Sequence, residues 1–267
     1  SWGALAQALP STPTWTTLAP MGQARAQFGA AMLPSGDLLV AGGVNSQGFV
    51  ASAERFEPLT GRWRPVSPPG IMGNVTGGLT LPNGKVLLLA DGSDTGRVFD
   101  PRTETWSATG SMSAPRSLST MTLLSSGQVL VAGGGNLSSA ELFDPVTGTF
   151  TQTGAMSIPR RAHASVRLRD GRVLVASGFN NAQGEVPVAE LYNPATGTWS
   201  QAAPPLVPRH YASATLLPDG RVLMAGGYTG LGVTTQAELY DPAANTWTAT
   251  GALNLPRTGH TATLLPS

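Results

Sequence analysis

One arrangement of apolar and polar positions recurs along the chain. It is clearest in residues 208–255, PRHYASATLLPDGRVLMAGGYTGLGVTTQAELYDPAANTWTATGALNL. The position of its first arginine recurs at intervals of 48, 43, 44, 49 and 48 residues, as Arg25, Gly73, Arg116, Arg160, Arg209 and Arg257. A fixed period of this length indicates a repeat architecture in which each copy is one supersecondary unit.

Each copy contains four short segments that predict β-strands, labelled a to d here. Segment a is apolar and rich in small residues, as in 212–217, and segment b is a short apolar run, as in 222–225. The dipeptides between them predict two-residue hairpins, because Asn-Gly and Asp-Gly readily adopt the positive φ angles of such turns. These dipeptides are Ser35-Gly36, Asn83-Gly84, Ser126-Gly127, Asp170-Gly171 and Asp219-Gly220.

Segment c carries an aromatic residue and ends at a proline, and segment d begins at a second aromatic residue. Between them, a left-handed residue is predicted at Gly61, Gly148, Gly197 and Asn245. With the Gly-Gly pairs that end segment b, these features make nearly the whole chain resemble a bacterial kelch-repeat protein. The aromatic pairs are Phe56 and Trp63, Phe99 and Trp106, Phe143 and Phe150, Tyr192 and Trp199, and Tyr240 and Trp247.

The resemblance implies an all-β fold, a β-propeller in which each repeat is a four-stranded blade and strand a lines a central channel. The galactose oxidase family shares this propeller. We expect one domain over residues 1–267, with complete blades at about 24–71, 72–114, 115–158, 159–207 and 208–255.

Six blades are the expected number, with the last blade formed by residues 256–267 together with residues 1–23. Residues 4–8, ALAQA, also fit the end of a cleaved signal peptide. We favour strands at 4–9 and 15–18, because Pro10 precedes Trp15 by the same interval as Pro194 precedes Trp199. A ring of five blades with surplus end strands is the alternative.

The sixth blade would lack about one strand. A trimmed sequence is the simpler explanation. An open slot would instead expose unpaired N–H and C=O groups and attract a strand from a partner or from a second copy.

Composition excludes several functions. The net charge of +1 argues against a nucleic-acid partner or an acidic membrane surface. The absence of cysteine excludes disulfides and thiolate chemistry. The longest apolar run, 86–90, is too short to span a membrane.

Function is expected on the face that carries the b–c and d–a connections, called the loop face here. The b–c connections differ in every copy, at 44–53, 93–96, 135–140, 179–189 and 228–237. Variable loops on a regular scaffold commonly carry function. Phe179 and Tyr228 follow the end of segment b directly and suit contact with a sugar or a peptide, or else they pack over the loop bases.

The repeated arginines form a candidate anion site at the mouth of the channel. A structural role is favoured, because each arginine comes with a glutamate on segment c and blade 2 lacks both, having Gly73 and Arg97 instead. Arg257 is the exception, since its copy has no visible glutamate, and it is the arginine expected to be available for a ligand. The expected pairs are Arg25 with Glu54, Arg116 with Glu141, Arg160 with Glu190, and Arg209 with Glu238.

Histidines and acidic residues add further candidates near the mouth. His163, His210 and His260 lie at the start of consecutive segments a, with Tyr211 beside them, but their positions in different blades argue against a shared metal. Blade 2 departs most from the repeat, and departures of this kind can mark function. Its candidate ligand residues are Asn74, Asp91 and Asp94.

A non-catalytic module that binds a protein, peptide or glycan through the loop face is therefore expected, with no catalytic residue and no cofactor. The alternatives are an enzyme acting on a small acid or sugar at the channel mouth, and an assembly role through the incomplete blade. The resemblance to galactose oxidase does not include its copper-radical site, which needs a cysteine joined to a tyrosine. Disulfide-free propellers of this kind resemble secreted or cell-surface bacterial proteins, with the cytoplasm as the alternative location.

Overall fold

The structure is a computed structural model that describes residues 16–71 and 73–265, without the side chain of Thr76. All elements in these residues are β-strands. The all-β prediction is therefore confirmed. No helix in this part of the chain is long and apolar enough to cross a membrane.

Five antiparallel four-stranded sheets follow one another along the chain, each in the spatial order a, b, c, d. They match the five complete repeats, and we call them blades 1 to 5. Blade 1 contains β1 (Gly29–Met32), β2 (Leu38–Ala41), β5 (Ala53–Glu57) and β6 (Arg62–Val66). Blade 2 contains β7 (Val75–Thr80), β8 (Val86–Ala90), β9 (Ser93–Asp100) and β10 (Thr105–Arg116). Blade 3 contains β11 (Thr120–Leu123), β12 (Val129–Ala132), β13 (Ala140–Asp144) and β14 (Thr149–Thr153). Blade 4 contains β15 (Ala164–Arg167), β16 (Val173–Ala176), β19 (Ala189–Asn193) and β20 (Thr198–Ala202). Blade 5 contains β21 (Ser213–Leu216), β22 (Val222–Ala225), β25 (Ala237–Asp241) and β26 (Thr246–Ala249).

Three b–c connections fold into small two-stranded ribbons on the loop face. These are β3 (Val44–Asn45) with β4 (Gly48–Phe49), β17 (Phe179–Asn180) with β18 (Gly184–Glu185), and β23 (Tyr228–Thr229) with β24 (Gly232–Val233). Blade 2 differs from the prediction, because residues 93–96 belong to β9 and only Asp91 and Gly92 connect its strands b and c.

The hydrophobic core lies between successive blades. In blade 2, Leu88 packs into a cluster shared with blade 1, whereas Leu87 and Leu89 pack into a cluster shared with blade 3. Strand b is thus buried on both faces, which explains why it reads as a continuous apolar run rather than as an alternating pattern.

The aromatic residues of strands c and d form a second contact between blades. Within each blade the two rings are direct cross-strand partners, with centroids 4.8 to 5.1 Å apart. Where strand d carries tryptophan, the indole Nε1 donates to a carbonyl of the preceding blade, as Trp106 does to Ser67 at 2.7 Å and Trp199 to Gly154 at 2.7 Å. The aromatic positions of the repeat therefore join neighbouring blades as well as stabilising their own.

The a–b turns differ in type from the prediction. In blade 1 the Gly36 N–H donates to Leu33 O at 2.9 Å and the Leu33 N–H donates to Asp37 O at 2.7 Å. Only the glycine of the predicted dipeptide has a positive φ, 87° at Gly36. This is the three-residue hairpin loop in which a type I turn is followed by a left-handed glycine, and Pro34 occupies the position that proline favours in a type I turn.

The segments that flank the five sheets make the contacts of neighbouring blades. The Trp63 indole donates to Ala19 O at 2.9 Å, and the Gly227 N–H donates to Arg257 O at 2.8 Å, as the equivalent groups do between complete blades.

Residues 16–18 and 256–265 nevertheless form no strand, and the strand predicted at 4–9 lies outside the described residues, as does Trp15. Leu223 of blade 5 is partly exposed, whereas its equivalents are at most 1% exposed, these being Leu39, Leu87, Leu130 and Leu174. The six-blade ring stays a prediction.

The packing of blades predicts unequal costs for two glycine substitutions in blade 1. At Gly43, with φ 94°, a Cβ would lie 2.5 Å from Ala26 O, whereas at Gly61, with φ 66°, nothing lies within 4 Å. We expect Gly61→Ala to cost about 1 kcal/mol for its left-handed conformation, and Gly43→Ala to cost about 3 kcal/mol or more, because the backbone must also move. Chemical denaturation measures both, and equal costs would contradict this packing.

Candidate functional site

A cavity of about 850 Å³ lies at the loop-face end of the channel. It is lined by all five blades and by the segment that follows blade 5. Its wall is mostly neutral, with one carboxylate and two histidines among small, apolar and hydroxyl side chains. The lining residues are Gln27, Phe28, Ala30, Asn74, Val75, Gly77, Gly78, Asp91, Leu118, Ser119, Thr120, Ala162, His163, Tyr211, Ala212, Thr258, Gly259, His260 and Thr261.

A chain of backbone hydrogen bonds runs around the rim of this cavity. Except between blades 2 and 3, the residue two positions after the arginine position donates its N–H to the carbonyl of its equivalent in the preceding blade. Ala162 N–H donates to Leu118 O at 2.9 Å, Tyr211 N–H to Ala162 O at 2.9 Å, and Gly259 N–H to Tyr211 O at 3.0 Å. Apart from the bond between blades 2 and 3, the rim is therefore held by main-chain groups, and its side chains differ from copy to copy.

Most rim residues have a left-handed backbone. Gln27, Leu118, Ala162 and Tyr211 have φ values of 52°, 58°, 51° and 54°, and Gly259 has 60°. Such a conformation is costly for a residue with a Cβ, and strained positions of this kind cluster at binding and active sites. Sequence analysis found only Tyr211 among these five. The sequence did contain a sign of the rim, because the residue two positions after the arginine is a different amino acid in every copy.

Asp91 completes the rim where blade 2 departs from the repeat. Strand β7 has a register shift between Val75 and Gly77, and the Asp91 carboxylate takes the place of a rim carbonyl by accepting the Leu118 N–H at 2.9 Å. Asn74 O in turn accepts the Asp91 N–H at 2.9 Å. Both residues line the cavity, whereas Asp94 lies on β9 and is not part of its wall, and a ligand role for the first two stays a prediction.

The repeated arginines do not point into the cavity. The side chains of Arg25, Arg116, Arg160 and Arg209 are 0% exposed and each pairs with the glutamate of its own blade. The Nη2–Oε1 distances are 2.7 Å for Arg25 with Glu54 and 2.8 Å for Arg116 with Glu141, and Arg160 and Arg209 pair with Glu190 and Glu238. An anion site built from these four arginines is thereby excluded.

Each guanidinium also binds backbone carbonyls. Arg116 Nη1 donates to Gly133 O at 2.7 Å and to Ser139 O at 2.9 Å, which fixes the end of strand b and the start of strand c. The glutamate holds the d–a connection, since Glu141 accepts the Ser113 N–H at 3.1 Å. In blade 2 an arginine, Arg97, occupies the strand c position that is glutamate in the other blades. It donates directly to Pro69 O of the d–a connection at 3.2 Å.

Two histidines pack between blades at the cavity wall. His163 Nε2 lies 2.8 Å from Thr120 Oγ1, and His260 Nε2 lies 3.0 Å from Ser213 Oγ, an equivalent contact with the preceding blade in each case. The Nδ1 atom of both is buried, and it has no hydrogen-bond partner among the residues that the structure describes. Burial, assisted by the charge of Arg160, lowers the pKa of His163 to about 3, and burial also lowers the pKa of His260.

His210 belongs to a separate aromatic cluster beside the cavity. Its ring centroid lies 5.2 Å from Phe179, 5.2 Å from Tyr211 and 5.3 Å from Tyr228. His210 Nδ1 is 3.5 Å from Glu185 Oε1 without hydrogen-bond geometry. Burial lowers the pKa of His210 against the opposing charge of Glu185. The cluster joins the ribbon of blade 4 to blade 5, and only Tyr211 also lines the cavity.

Arg257 is exposed and its side chain has no ion pair with any residue among 16–71 and 73–265. Its carbonyl accepts the Gly227 N–H, so the backbone is anchored to blade 5. Arg257 is not among the residues that line the cavity, and its availability for a ligand stays a prediction. The Arg257 N–H lies 3.4 Å from Thr234 O, just as the Arg160 N–H lies 3.2 Å from Leu137 O.

Two comparisons with known proteins identify the fold. The sequence model described as the Kelch motif matches residues 25–70 and 160–206, which correspond to blades 1 and 4. A solved structure described as a "novel fungal alcohol oxidase with catalytic diversity among the AA5 family, in complex with copper" matches at 22% identity with a TM-score of 0.75. The match covers 89% of this chain and 56% of that one. No curated protein sequence matches the chain.

These matches confirm a β-propeller of kelch repeats. The chain spans little more than half of the oxidase, and at this identity the likeness concerns the fold alone. The side chains at the mouth do not fit a copper centre of that kind. In residues 16–71 and 73–265 no three His, Asp or Glu side chains gather as a metal-binding group, and His163 and His260 each use Nε2 for a hydroxyl.

The buried ion pairs predict a large loss of stability when one partner is removed. We expect Glu190→Ala to lower the free energy of unfolding by about 3–5 kcal/mol, because the Arg160 charge remains buried without its partner. Lys85→Ala is the matched control, since Lys85 forms an exposed pair with Asp100 at 3.1 Å. It should cost below about 1 kcal/mol. Comparable losses in denaturant titrations of the two variants would refute the structural role of the buried pairs.

His163 predicts a pH dependence of stability. Its folded-state pKa of about 3 lies below the ordinary 6.5, so the unfolded chain takes up a proton first as the pH falls. Stability is complete above pH 6.5 and is lost towards pH 3, at up to about 1.4 kcal/mol per pH unit. We expect His163→Gln to show a shallower decline between pH 6 and pH 4 in urea titrations. Parallel curves for the two proteins would show that His163 is not the group responsible.

Proposed function

We propose that the chain is a non-catalytic binding module that recognises a protein, peptide or glycan through its loop face. The observation that carries this proposal is the strained and variable rim around the cavity. Four residues with a Cβ hold left-handed conformations there, and the side chains they present are different in every repeat. The left-handed backbone recurs with the hydrogen bonds between blades and belongs to the scaffold. The variation of the side chains is what a scaffold role alone does not require.

The surroundings of the cavity support binding in preference to catalysis. The histidines of its wall are engaged with hydroxyl groups, and Asp91 is engaged with the Leu118 N–H. An acid–base catalyst needs a group with access to a substrate proton. The exposed aromatic side chains nearby, Tyr211 and Tyr228, supply rigid contact area of the kind that binding sites use.

Kelch propellers commonly serve as interaction modules, and the oxidase with a similar fold shows that the same scaffold also carries enzymes. We therefore keep an enzyme acting on a small acid or sugar as the second candidate. We also propose, from the sequence resemblance, that the protein is bacterial and acts outside the cell or on its surface.

Glycan and peptide arrays probed with the fluorescently labelled chain test this function. We expect ligands whose binding is lost in Tyr211→Ala, because its ring lines the cavity and borders the aromatic cluster. Leu59→Ser is the control, since Leu59 is fully exposed in a c–d turn on the opposite face. Each bound ligand is then incubated with the chain and its mass is measured by mass spectrometry. We expect the mass to be unchanged, because a non-catalytic module does not modify its ligand.

Two results would overturn the proposal. Equal loss of binding in Leu59→Ser would place the site away from the loop face. A chemical change in the bound ligand would favour the enzyme.

A further inference from the structure

The aromatic cluster between blades 4 and 5 consists of Phe179, His210, Tyr211 and Tyr228. The His210 ring stands at its centre, 5.2 Å from Phe179 and from Tyr211 and 5.3 Å from Tyr228 between ring centroids. Because both tyrosine distances end on the same ring, the two tyrosines are close enough for one short oligosaccharide or peptide to touch both.

Both tyrosines present ring surface to solvent, since Tyr211 is 40% and Tyr228 is 42% exposed. An exposed ring on a ribbon is not special in itself, because Phe49 of the blade 1 ribbon is 60% exposed. Phe49, however, contacts no other aromatic ring within residues 16–71 and 73–265. The aromatic cluster differs because several rings and two charged side chains meet in one place.

The two charged side chains, Arg161 and Glu185, have opposite signs and lie against different rings of the cluster. The Arg161 guanidinium carbon lies over the Phe179 ring, 5.1 Å from its centroid. Glu185 Oε1 lies 3.5 Å from His210 Nδ1. Its Oε2 lies 3.9 Å from the position that a Cβ on Gly230 would take, so the carboxylate stands where the ribbons of blades 4 and 5 meet.

Neither charged group is satisfied by the protein. Within residues 16–71 and 73–265 the Arg161 guanidinium has no ion pair and no hydrogen bond. Glu185 has only His210 as a polar neighbour there, without hydrogen-bond geometry. Both side chains lie between two complete four-stranded blades. Half-buried polar groups normally have partners, so this pair is suited to a ligand that supplies them.

Opposite charges beside the same rings favour an uncharged ligand. An acidic group would be attracted by Arg161 and repelled by Glu185, and a basic group would meet the reverse. A sugar carries neighbouring hydroxyl groups, each of which can donate to a carboxylate or accept from a guanidinium. Its C–H faces are apolar and pack against aromatic rings, which supply rigid contact area.

We propose that the aromatic cluster, with Arg161 and Glu185, binds a neutral oligosaccharide. Sugar rings pack on Tyr211 and Tyr228, and sugar hydroxyls donate to Glu185 and accept from Arg161. This proposal rests on the proposed function and names the ligand class for one part of the loop face.

Isothermal titration calorimetry of the whole chain tests this site with neutral linear oligosaccharides of glucose, mannose, xylose, galactose and N-acetylglucosamine. We expect at least one of them to bind, with an affinity that added salt leaves unchanged because the ligand is uncharged. Tyr211→Ala and Tyr228→Ala should each weaken binding by about tenfold or more, since each removes a ring surface. Arg161→Gln and Glu185→Gln should each weaken it by about tenfold through the loss of a charge-assisted hydrogen bond.

Matched controls lie away from the aromatic cluster. Phe49 is an exposed ring of another ribbon, and Arg102 is an exposed arginine of a c–d turn on the opposite face. Phe49→Ala and Arg102→Gln should therefore leave the affinity unchanged. Thermal unfolding checks that every variant is folded, and Tyr211→Asn replaces Tyr211→Ala if that variant is not, because asparagine tolerates a left-handed backbone better.

The outcomes separate this proposal from the broader function. Peptides that bind through Tyr211, with no neutral oligosaccharide bound, would overturn it and leave the loop-face function standing. Acidic oligosaccharides that need Arg161 and bind more tightly to Glu185→Gln would overturn it as well, because the ligand would then pair with one charge alone. So would a neutral oligosaccharide whose affinity is the same in all four variants. Failure of every peptide and oligosaccharide to bind would overturn both this proposal and the proposed function.

Discussion

A buried guanidinium at the start of each of four blades is the interaction on which the loop face depends. Arg116 shows the arrangement in full. It donates to the end of strand b, to the start of strand c and to Glu141, which in turn holds the d–a connection. Without this charge pair, three chain segments in each blade would lose their common anchor. Because the charges are buried, neither partner can be removed alone without leaving an unpaired charge in the interior.

The same residue links each blade to its predecessor. The carbonyl of the arginine accepts the N–H of the glycine that ends the preceding strand b, as Arg160 O does from Gly134 at 2.9 Å and Arg209 O from Gly178 at 2.9 Å. The blades are also joined by the two-sided burial of strand b and by the tryptophan indoles. Each blade therefore depends on its neighbours for most of its core, as in other repeat proteins.

Much of this could be predicted from the sequence, because the repeat supplies an internal comparison. The simultaneous loss of arginine and glutamate in blade 2 indicated their pairing, and the strand order followed from the period. The type of the a–b turns was mistaken, since Ser-Gly and Asp-Gly fit two kinds of hairpin and the choice depends on the hydrogen bonds of the residues around them. The rim escaped notice for a different reason. The variation two residues after each arginine was visible, but its meaning was not, because the hydrogen bonds join main-chain groups of different blades and a left-handed φ at Gln27, Leu118 or Ala162 does not follow from the amino-acid type.

The main-chain rim separates the shape of the mouth from the identity of its side chains. Glutamine, valine, leucine, alanine, tyrosine and glycine occupy the six equivalent positions, at Gln27, Val75, Leu118, Ala162, Tyr211 and Gly259, without any of them being needed for the bonds between blades. Val75 is also buried in the core between blades 1 and 2, but at the other five positions the side chain can differ without changing the main-chain bonds between blades. If the mouth binds a ligand as proposed, libraries that vary Gln27, Leu118, Ala162, Tyr211 and Gly259 would change its specificity while the bonds between blades are kept.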